Sequence, residues 1–331
     1  MIDFKNIVGH KNPIEILKNR IKYNKIGHSY LFIGKEGIGK KMTAIAFSKA
    51  VNCINLSKEQ NPCNQCSSCL KIEKGMSADF NIVFPHNLTI KIDQIRELKN
   101  KIYFQPLENK KKIYIIDNAD QMTIEAANSL LKILEDPPEY AIIILVTAFP
   151  DKILPTILSR CCQLLFKPLK IANQREVLRK KIPLEKEEKI ENLIKLTYGN
   201  PGKAFNLVEN QEKMKEYQQC IDILANMKPE ETMDYIFSSE KMFGEVVNYF
   251  SSFTEMMVLW FRDILLFKIG AEREKIIFQD HINVLRHYAE YYSREKVIYI
   301  LEYLVNIPEK MEIHINPRTL LENILIQLGD K

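Results

Sequence analysis

Residues 29–41 read SYLFIGKEGIGKK, a short apolar run followed by a glycine-rich turn. The apolar run predicts a buried strand, and the apolar spacing after Lys40 predicts a helix over 40–54. A glycine-rich turn between a strand and a helix is the setting of a phosphate-binding loop. Its backbone N–H groups would hold phosphate oxygens, and Lys40 would reach the β and γ oxygens. We therefore predict a phosphate-binding loop rather than a chance glycine turn, built on Gly34, Gly37, Gly39 and Lys40.

Two positions depart from the pattern of a working ATPase. Lys41 stands where a Ser or Thr hydroxyl would bind Mg²⁺, and an ammonium offers no acceptor oxygen and repels a cation. The apolar residues 113–116 followed by Asp117 look like a Walker B strand, with Asp117 placed to meet the metal; the alternative is an ordinary buried strand. Asn118 then replaces the Glu that would orient the attacking water, and an amide cannot accept a proton. The sequence predicts that ATP is not hydrolysed and leaves passive nucleotide binding open.

The cysteines form a second pattern. Four of the seven cluster in one segment, at Cys53, Cys63, Cys66 and Cys69. Four thiolates at these spacings can close a tetrahedral Zn²⁺ site, with each Zn–S bond about 2.3 Å long. The alternatives are a redox pair from one Cys-x-x-Cys and unrelated buried thiols, but a redox pair needs no third and fourth cysteine at metal spacing. We predict a structural zinc site on these four residues.

The order of predicted elements gives the fold class. Strand candidates at 80–84, 113–116, 141–147 and 162–166 alternate with helical segments, which implies a parallel α/β sheet covered on both faces. After about residue 167 only helical periods follow, including a strongly apolar helix over 250–269 that we expect to be buried in a bundle. The first half is therefore predicted to be α/β, and the second half all-α.

Composition excludes several classes of protein. The 331 residues are 46% hydrophobic and 27% charged, which excludes a disordered chain. The longest apolar run, 141–149, is half the length of about 18 residues that a membrane-spanning helix requires. The first residues, MIDFK, carry charge where a signal peptide needs an apolar stretch, so we expect a cytoplasmic protein without membrane contact. The net charge of +5 permits contact with nucleic acid without demanding it.

Together these features resemble the delta-prime subunits of bacterial DNA polymerase III clamp loaders, a family of the AAA+ class. The cysteines follow the helix after the phosphate-binding loop, as they do in bacterial clamp-loader subunits. The other segments that carry the resemblance are Phe4–His10, Gly27–Phe32, Asn128–Pro138, Ser159–Cys161, Asn316–Arg318 and Leu321–Asn323.

The resemblance implies three parts of the chain. They are a RecA-like AAA+ domain over 1–167 with a zinc module at about 53–72, a three-helix lid over 168–209, and a helical collar over 210–331 that joins five subunits. Thr147 matches the first sensor position of the family. Gly202 stands where ATP-hydrolysing relatives carry a lid arginine. After the loop hydroxyl and the glutamate, this arginine is the third group for hydrolysis that the chain lacks. The degenerate nucleotide site then comprises Gly34, Gly37, Gly39, Lys40, Lys41, Asp117, Asn118 and Thr147.

The function that the resemblance implies is a non-hydrolysing ring subunit in DNA replication. It would load the sliding clamp onto primer–template DNA with gamma/tau and delta subunits, as a component of the DNA polymerase III holoenzyme, a nucleotidyltransferase. Arg160 would act in trans as an arginine finger, although on the residues alone an arginine there is usually a helix-end or salt-bridging residue. The alternatives are an active ATPase of the gamma/tau type and a zinc-containing nucleic-acid-binding module, which would bind DNA tightly with a steep salt dependence.

Overall fold

A computed structural model describes residues 1–182, 187–231, 240–307 and 316–329. The chain forms two compact units, Met1–Phe205 and Asn206–Lys331. The first unit contains one five-stranded sheet with the order β2-β3-β4-β1-β5, in which every pair is parallel. The strands are β1 (Ser29–Ile33), β2 (Phe80–Val83), β3 (Lys112–Ile116), β4 (Ala141–Thr147) and β5 (Cys162–Leu165).

Helices cover both faces of this sheet because its central strands are apolar on both sides. All seven residues of β4 are buried. Along β1, Tyr30 and Phe32 enter one core cluster while Leu31 enters the other, as the two-residue period of a strand requires. The predicted α/β class, with a parallel sheet covered on both faces, is confirmed.

The predicted alternation of strands and helices is confirmed, and the helix predicted over 40–54 is found at Lys40–Asn52. The short helices at Ser67–Glu73 and Pro155–Leu158 were not predicted. The prediction had no helix at Lys11–Lys22, where a basic segment buries only Pro13, Ile14 and Leu17. The helices are α1 (Lys11–Lys22), α2 (Lys40–Asn52), α3 (Ser67–Glu73), α4 (Ile92–Ile102), α5 (Ile124–Glu135), α6 (Pro155–Leu158), α7 (Ile171–Lys181), α8 (Glu187–Thr197) and α9 (Pro201–Glu209), the last of which runs into the second unit.

Within the described residues the second unit is helical throughout, as predicted. Its helices are α10 (Gln211–Asn226), α11 (Glu240–Asn248), α12 (Phe250–Lys268), α13 (Ile282–Tyr291), α14 (Arg294–Val305) and α15 (Pro317–Gly329). Trp260 and Phe261 of α12 are fully buried. The buried Asp263 accepts hydrogen bonds from the backbone N–H groups of Ile277 and Phe278, which explains how a charged residue is accommodated in this apolar helix. None of the helices in the described ranges has the length and apolar character needed to cross a bilayer.

Candidate nucleotide site and cysteine cluster

The predicted phosphate-binding loop joins β1 to α2, in the strand–turn–helix setting that such a loop requires. Gly37 and Gly39 have φ angles of +75° and +106°, a region of backbone conformation that residues with a Cβ rarely adopt. A Cβ on Gly34 would lie 2.3 Å from the carbonyl oxygen of Phe166. The glycines are therefore needed for the path of the loop.

Lys40 is buried and bends back over its own loop. Its Nζ donates hydrogen bonds to the carbonyl oxygens of Gly34 and Lys35, at 2.5 and 2.7 Å. Burial lowers the pKa of Lys40 to about 8, although nearby carboxylates, chiefly Asp117, act in the opposite direction. The ammonium is thus held by loop carbonyls, with its charged form disfavoured relative to an exposed lysine.

Lys41 pairs with the predicted Walker B carboxylate. Its Nζ lies 3.1 Å from Oδ2 of Asp117 and 4.2 Å from the centre of the Phe84 ring. Mg²⁺ requires an octahedral set of oxygen ligands. Here the loop supplies a cation in place of the hydroxyl, and that cation neutralises the carboxylate. The residues present do not fit a Mg²⁺ ion at this position.

Asn118 and Thr147 both make hydrogen bonds within the first unit. Asn118 has a φ of +51°, and its carbonyl accepts a hydrogen bond from Gln121 N at 2.9 Å, closing a short 3-10 turn over Ala119–Gln121. The hydroxyl of the fully buried Thr147 donates to Oδ1 of Asp120 at 2.5 Å. Sequence reasoning missed Asp120, because a single acidic residue in a turn carries no spacing signal.

A cavity of about 600 Å³ lies against the loop within the first unit. Six of the eight predicted nucleotide-site residues line it, and Gly34 and Thr147 do not. The six are Gly37, Gly39, Lys40, Lys41, Asp117 and Asn118. Its other walls come from the N-terminal segment around Ile7 and from α7 and the start of α9.

The start of α9 is fastened to the loop. Asn200 Nδ2 donates to the carbonyl of Glu36 at 2.7 Å, and the backbone N–H of Gly202 donates to the carbonyl of Gly37 at 3.0 Å. A Cβ on Gly202 would lie 2.6 Å from Cα of Gly37. Position 202 therefore has no room for a side chain, and an arginine there would require α9 to move away.

Arg160 lies outside this cavity, on the surface just after α6. Its Nη2 is 2.9 Å from Oε1 of Glu135, and its Nη1 donates to the carbonyl of Thr156 at 3.0 Å. Its own carbonyl accepts a hydrogen bond from Ser29 Oγ at 3.0 Å. The guanidinium is thus fixed at the surface, where it does not reach the cavity of its own chain.

The four predicted zinc ligands come together in space. The Sγ atoms of Cys53, Cys63, Cys66 and Cys69 all lie within 4.8 Å of one another, as ligands of one tetrahedral ion must. Burial opposes ionisation of Cys63, but N–H donation from neighbouring backbone and contacts with the adjacent cysteines lower its pKa to about 6. Backbone N–H groups of Cys63 and Cys66 also donate to Sγ of Cys53 and Cys63, both at 3.3 Å. This cluster could hold zinc.

Comparison with known proteins places these features in context. The family model "DNA polymerase III, delta subunit" matches residues 9–170, and a second model, for the C-terminal part of that delta protein, matches 246–330. The delta' subunit of DNA polymerase III from Bacillus subtilis is 30% identical over 319 residues, which cover 96% of this chain and 95% of that protein.

Two further proteins match, one over a shorter stretch and the other at lower identity. The tau subunit of B. subtilis DNA polymerase III is 40% identical over 164 residues, half of this chain but only 29% of that protein. A crystal structure of a gamma-subunit-related protein from Thermotoga maritima covers 96% of this chain and 99% of its own at 19% identity, with a TM-score of 0.39.

Proposed function

The chain belongs to the family of DNA polymerase III clamp-loader subunits, and on this premise we propose that it is a delta-prime-type subunit that does not hydrolyse ATP. In this role it occupies one position of a hetero-pentameric ring with gamma/tau and delta subunits in the cytoplasm. It helps load the sliding clamp onto primer–template DNA, and it supplies Arg160 to the ATP site of a neighbouring subunit.

The observation that carries the proposal is the ion pair between Lys41 and Asp117. Hydrolysis of a nucleoside triphosphate relies on Mg²⁺ to neutralise charge that develops on the phosphates. A lysine that pairs with the metal-binding carboxylate removes that ligand and adds a repulsive charge. Asn118 in place of a glutamate and Gly202 packed against Gly37 remove two further groups that hydrolysis uses.

Arg160 supports the second half of the proposal. Its guanidinium is about one third exposed and lies outside the chain's own cavity, so any phosphate that it meets belongs to another molecule. A guanidinium is always charged and offers a rigid set of donors that matches phosphate oxygens. Such a group stabilises the charge of the phosphoryl-transfer transition state.

We also propose that the cysteine cluster binds one structural Zn²⁺. With Cys53, Cys63, Cys66 and Cys69 as ligands, the ion would be closed off from water and substrate. The division into a RecA-like domain over 1–167, a lid over 168–209 and a collar over 210–331 belongs to the same proposal. Passive binding of a nucleotide in the cavity stays a hypothesis within it.

A second candidate is an active ATPase of the gamma/tau type, favoured by the 40% identity to a tau subunit over 164 residues. It would need Mg²⁺ to bind despite Lys41 and a base other than Asn118. The test is steady-state ATP turnover by the purified chain, with Lys40→Ala as the matched variant. The proposal expects no turnover in either protein. Turnover that Lys40→Ala abolishes would contradict it and identify an active ATPase.

A further inference from the structure

We propose that Glu135 is a positioning residue for Arg160, which holds the guanidinium in place for the neighbouring ATP site. This inference rests on the proposed function, because it assigns a residue to the action of the finger. Two side chains from separate segments of the chain meet here. Glu135 is the last residue of α5, and Arg160 follows the four-residue helix α6.

Arg160 is fixed at both its backbone and its side chain. Its backbone N–H donates to Ile157 O at 3.1 Å, and its carbonyl accepts from the Ser29 hydroxyl at 3.0 Å. Nη1 is held by the Thr156 carbonyl at 3.0 Å and lies 3.3 Å from Ser159 Oγ. All of these partners belong to α6, its cap or β1, so this part of the fold holds the backbone of Arg160 and the Nη1 side of its guanidinium.

Glu135 is the one carboxylate that pairs with this guanidinium in the described part of the chain, at 2.9 Å from Nη2. Its place in α5 is otherwise unfavourable, because the C-terminal end of a helix carries partial negative charge. A carboxylate at this end is stabilised by a cation, and Arg160 supplies it. The pairing therefore accounts for an acidic residue at a position that favours basic ones.

The pair leaves part of the guanidinium available. Neither Nε nor Nη2 makes a hydrogen bond within the described residues, and Nη2 is engaged there only by its ion pair with Glu135. Arginine loses considerable rotamer freedom when it binds a phosphate. The ion pair with Glu135 already restricts the Arg160 side chain, so less rotamer freedom remains to be lost on binding. Because both partners are exposed, the contribution is modest, within the range of an exposed ion pair, or about 2- to 5-fold in rate.

The test uses the complete clamp-loader complex, reconstituted with variants of this chain. Glu135→Gln should lower the Arg160-dependent part of kcat of the DNA-stimulated ATPase, which is the turnover of the adjacent site, about 2- to 5-fold and leave the KM for ATP unchanged. Glu135→Asp should recover part of the loss, because it keeps the charge. Glu139→Gln is the matched control, since it removes an exposed carboxylate from the same segment and should change nothing.

The Arg160→Ala background separates this inference from the proposed function. Glu135→Gln should add nothing in that background, because Glu135 acts only through Arg160. If Arg160→Ala itself has no effect, the proposed finger is wrong. If Arg160→Ala is damaging but Glu135→Gln leaves kcat unchanged or raises it, only the positioning role is wrong. If Glu135→Gln lowers kcat by the same factor in the Arg160→Ala background as in wild type, the positioning role is also wrong, and Glu135 has a general structural role.

Discussion

Nζ of Lys41 lies 3.1 Å from Oδ2 of Asp117, at the position where a phosphate-binding loop ordinarily meets its metal ion. Lys41→Thr would restore a hydroxyl to the loop and release the carboxylate of Asp117. We expect Mg²⁺ to strengthen ADP binding by this variant roughly tenfold, or about 1.4 kcal/mol. Titration calorimetry with and without Mg²⁺ measures this effect directly.

The matched control for that experiment is Lys41→Met, which removes the ammonium without adding a metal ligand. Neither variant should hydrolyse ATP, because Asn118 still lacks the proton-accepting group. Equal Mg²⁺ dependence in Lys41→Thr and Lys41→Met would show that the hydroxyl position is not what prevents metal binding.

Lys40 gives a second residue-scale prediction, which concerns pH. Burial lowers its pKa to about 8, against a value of 10.5 for an ordinary lysine. Between these values the unfolded chain binds one proton more than the folded chain, so this group makes the free energy of unfolding rise with pH. That contribution is complete above about 10.5 and is lost as the pH falls through about 8.

Lys40→Met should abolish this contribution, since a thioether does not titrate. We expect the difference in unfolding free energy between wild type and Lys40→Met to shift in favour of wild type as the pH rises from about 8 to about 10. Urea denaturation at several pH values measures the difference, in which the titration of all other groups cancels. A difference that stays constant over this range would contradict the low pKa of Lys40.

The contact of α9 with the loop belongs to the scale of elements. Gly202→Ala would place a Cβ 2.6 Å from Cα of Gly37, a backbone atom that cannot turn aside. We expect a loss of about 1–3 kcal/mol in the free energy of unfolding, together with faster hydrogen exchange in α9. Gly244→Ala in α11 is the control, because a Cβ there meets nothing within 4 Å. That change should stabilise its helix by about 0.5–1 kcal/mol. Equal effects of the two substitutions would mean that α9 is not packed on the loop.

The cysteine cluster is the other element with a direct test. We expect one zinc ion per purified chain, and Cys69→Ser should lose it, because all four thiolates are needed to close the site. Residues 53–73 should then become sensitive to protease while the sheet persists, since the cores on the two faces of the sheet take few side chains from this segment. Cys161→Ser, outside the cluster, is the control. Purified protein without zinc, or four thiols that react freely in the native state, would contradict the assignment.

Across the whole molecule, the sequence predicted what depends on local pattern. The bounds of β4 (141–147) were predicted correctly because six consecutive apolar residues followed by Thr147 form a pattern typical of a buried strand. Helix α1 was missed because it buries a narrow stripe beneath many lysines. Pairings between distant residues were also missed. The Lys41–Asp117 ion pair and the Asp120 contact with Thr147 depend on how separate strands and turns meet, which no single segment encodes.

The central claim is that the chain contributes Arg160, and not ATP hydrolysis, to a ring of subunits. Its most direct test is the rate of DNA-stimulated ATP hydrolysis by a complex reconstituted with Arg160→Ala. An arginine finger contributes on the order of 10³–10⁵ in rate, so the ATP site that loses it should show no measurable hydrolysis. We expect the complex to assemble normally, to lose the turnover of that one site and to load clamps slowly. Arg160→Lys should be nearly as damaging, because it keeps the charge but loses the planar set of donors. Normal hydrolysis by the Arg160→Ala complex would contradict the account and leave Arg160 as a structural arginine.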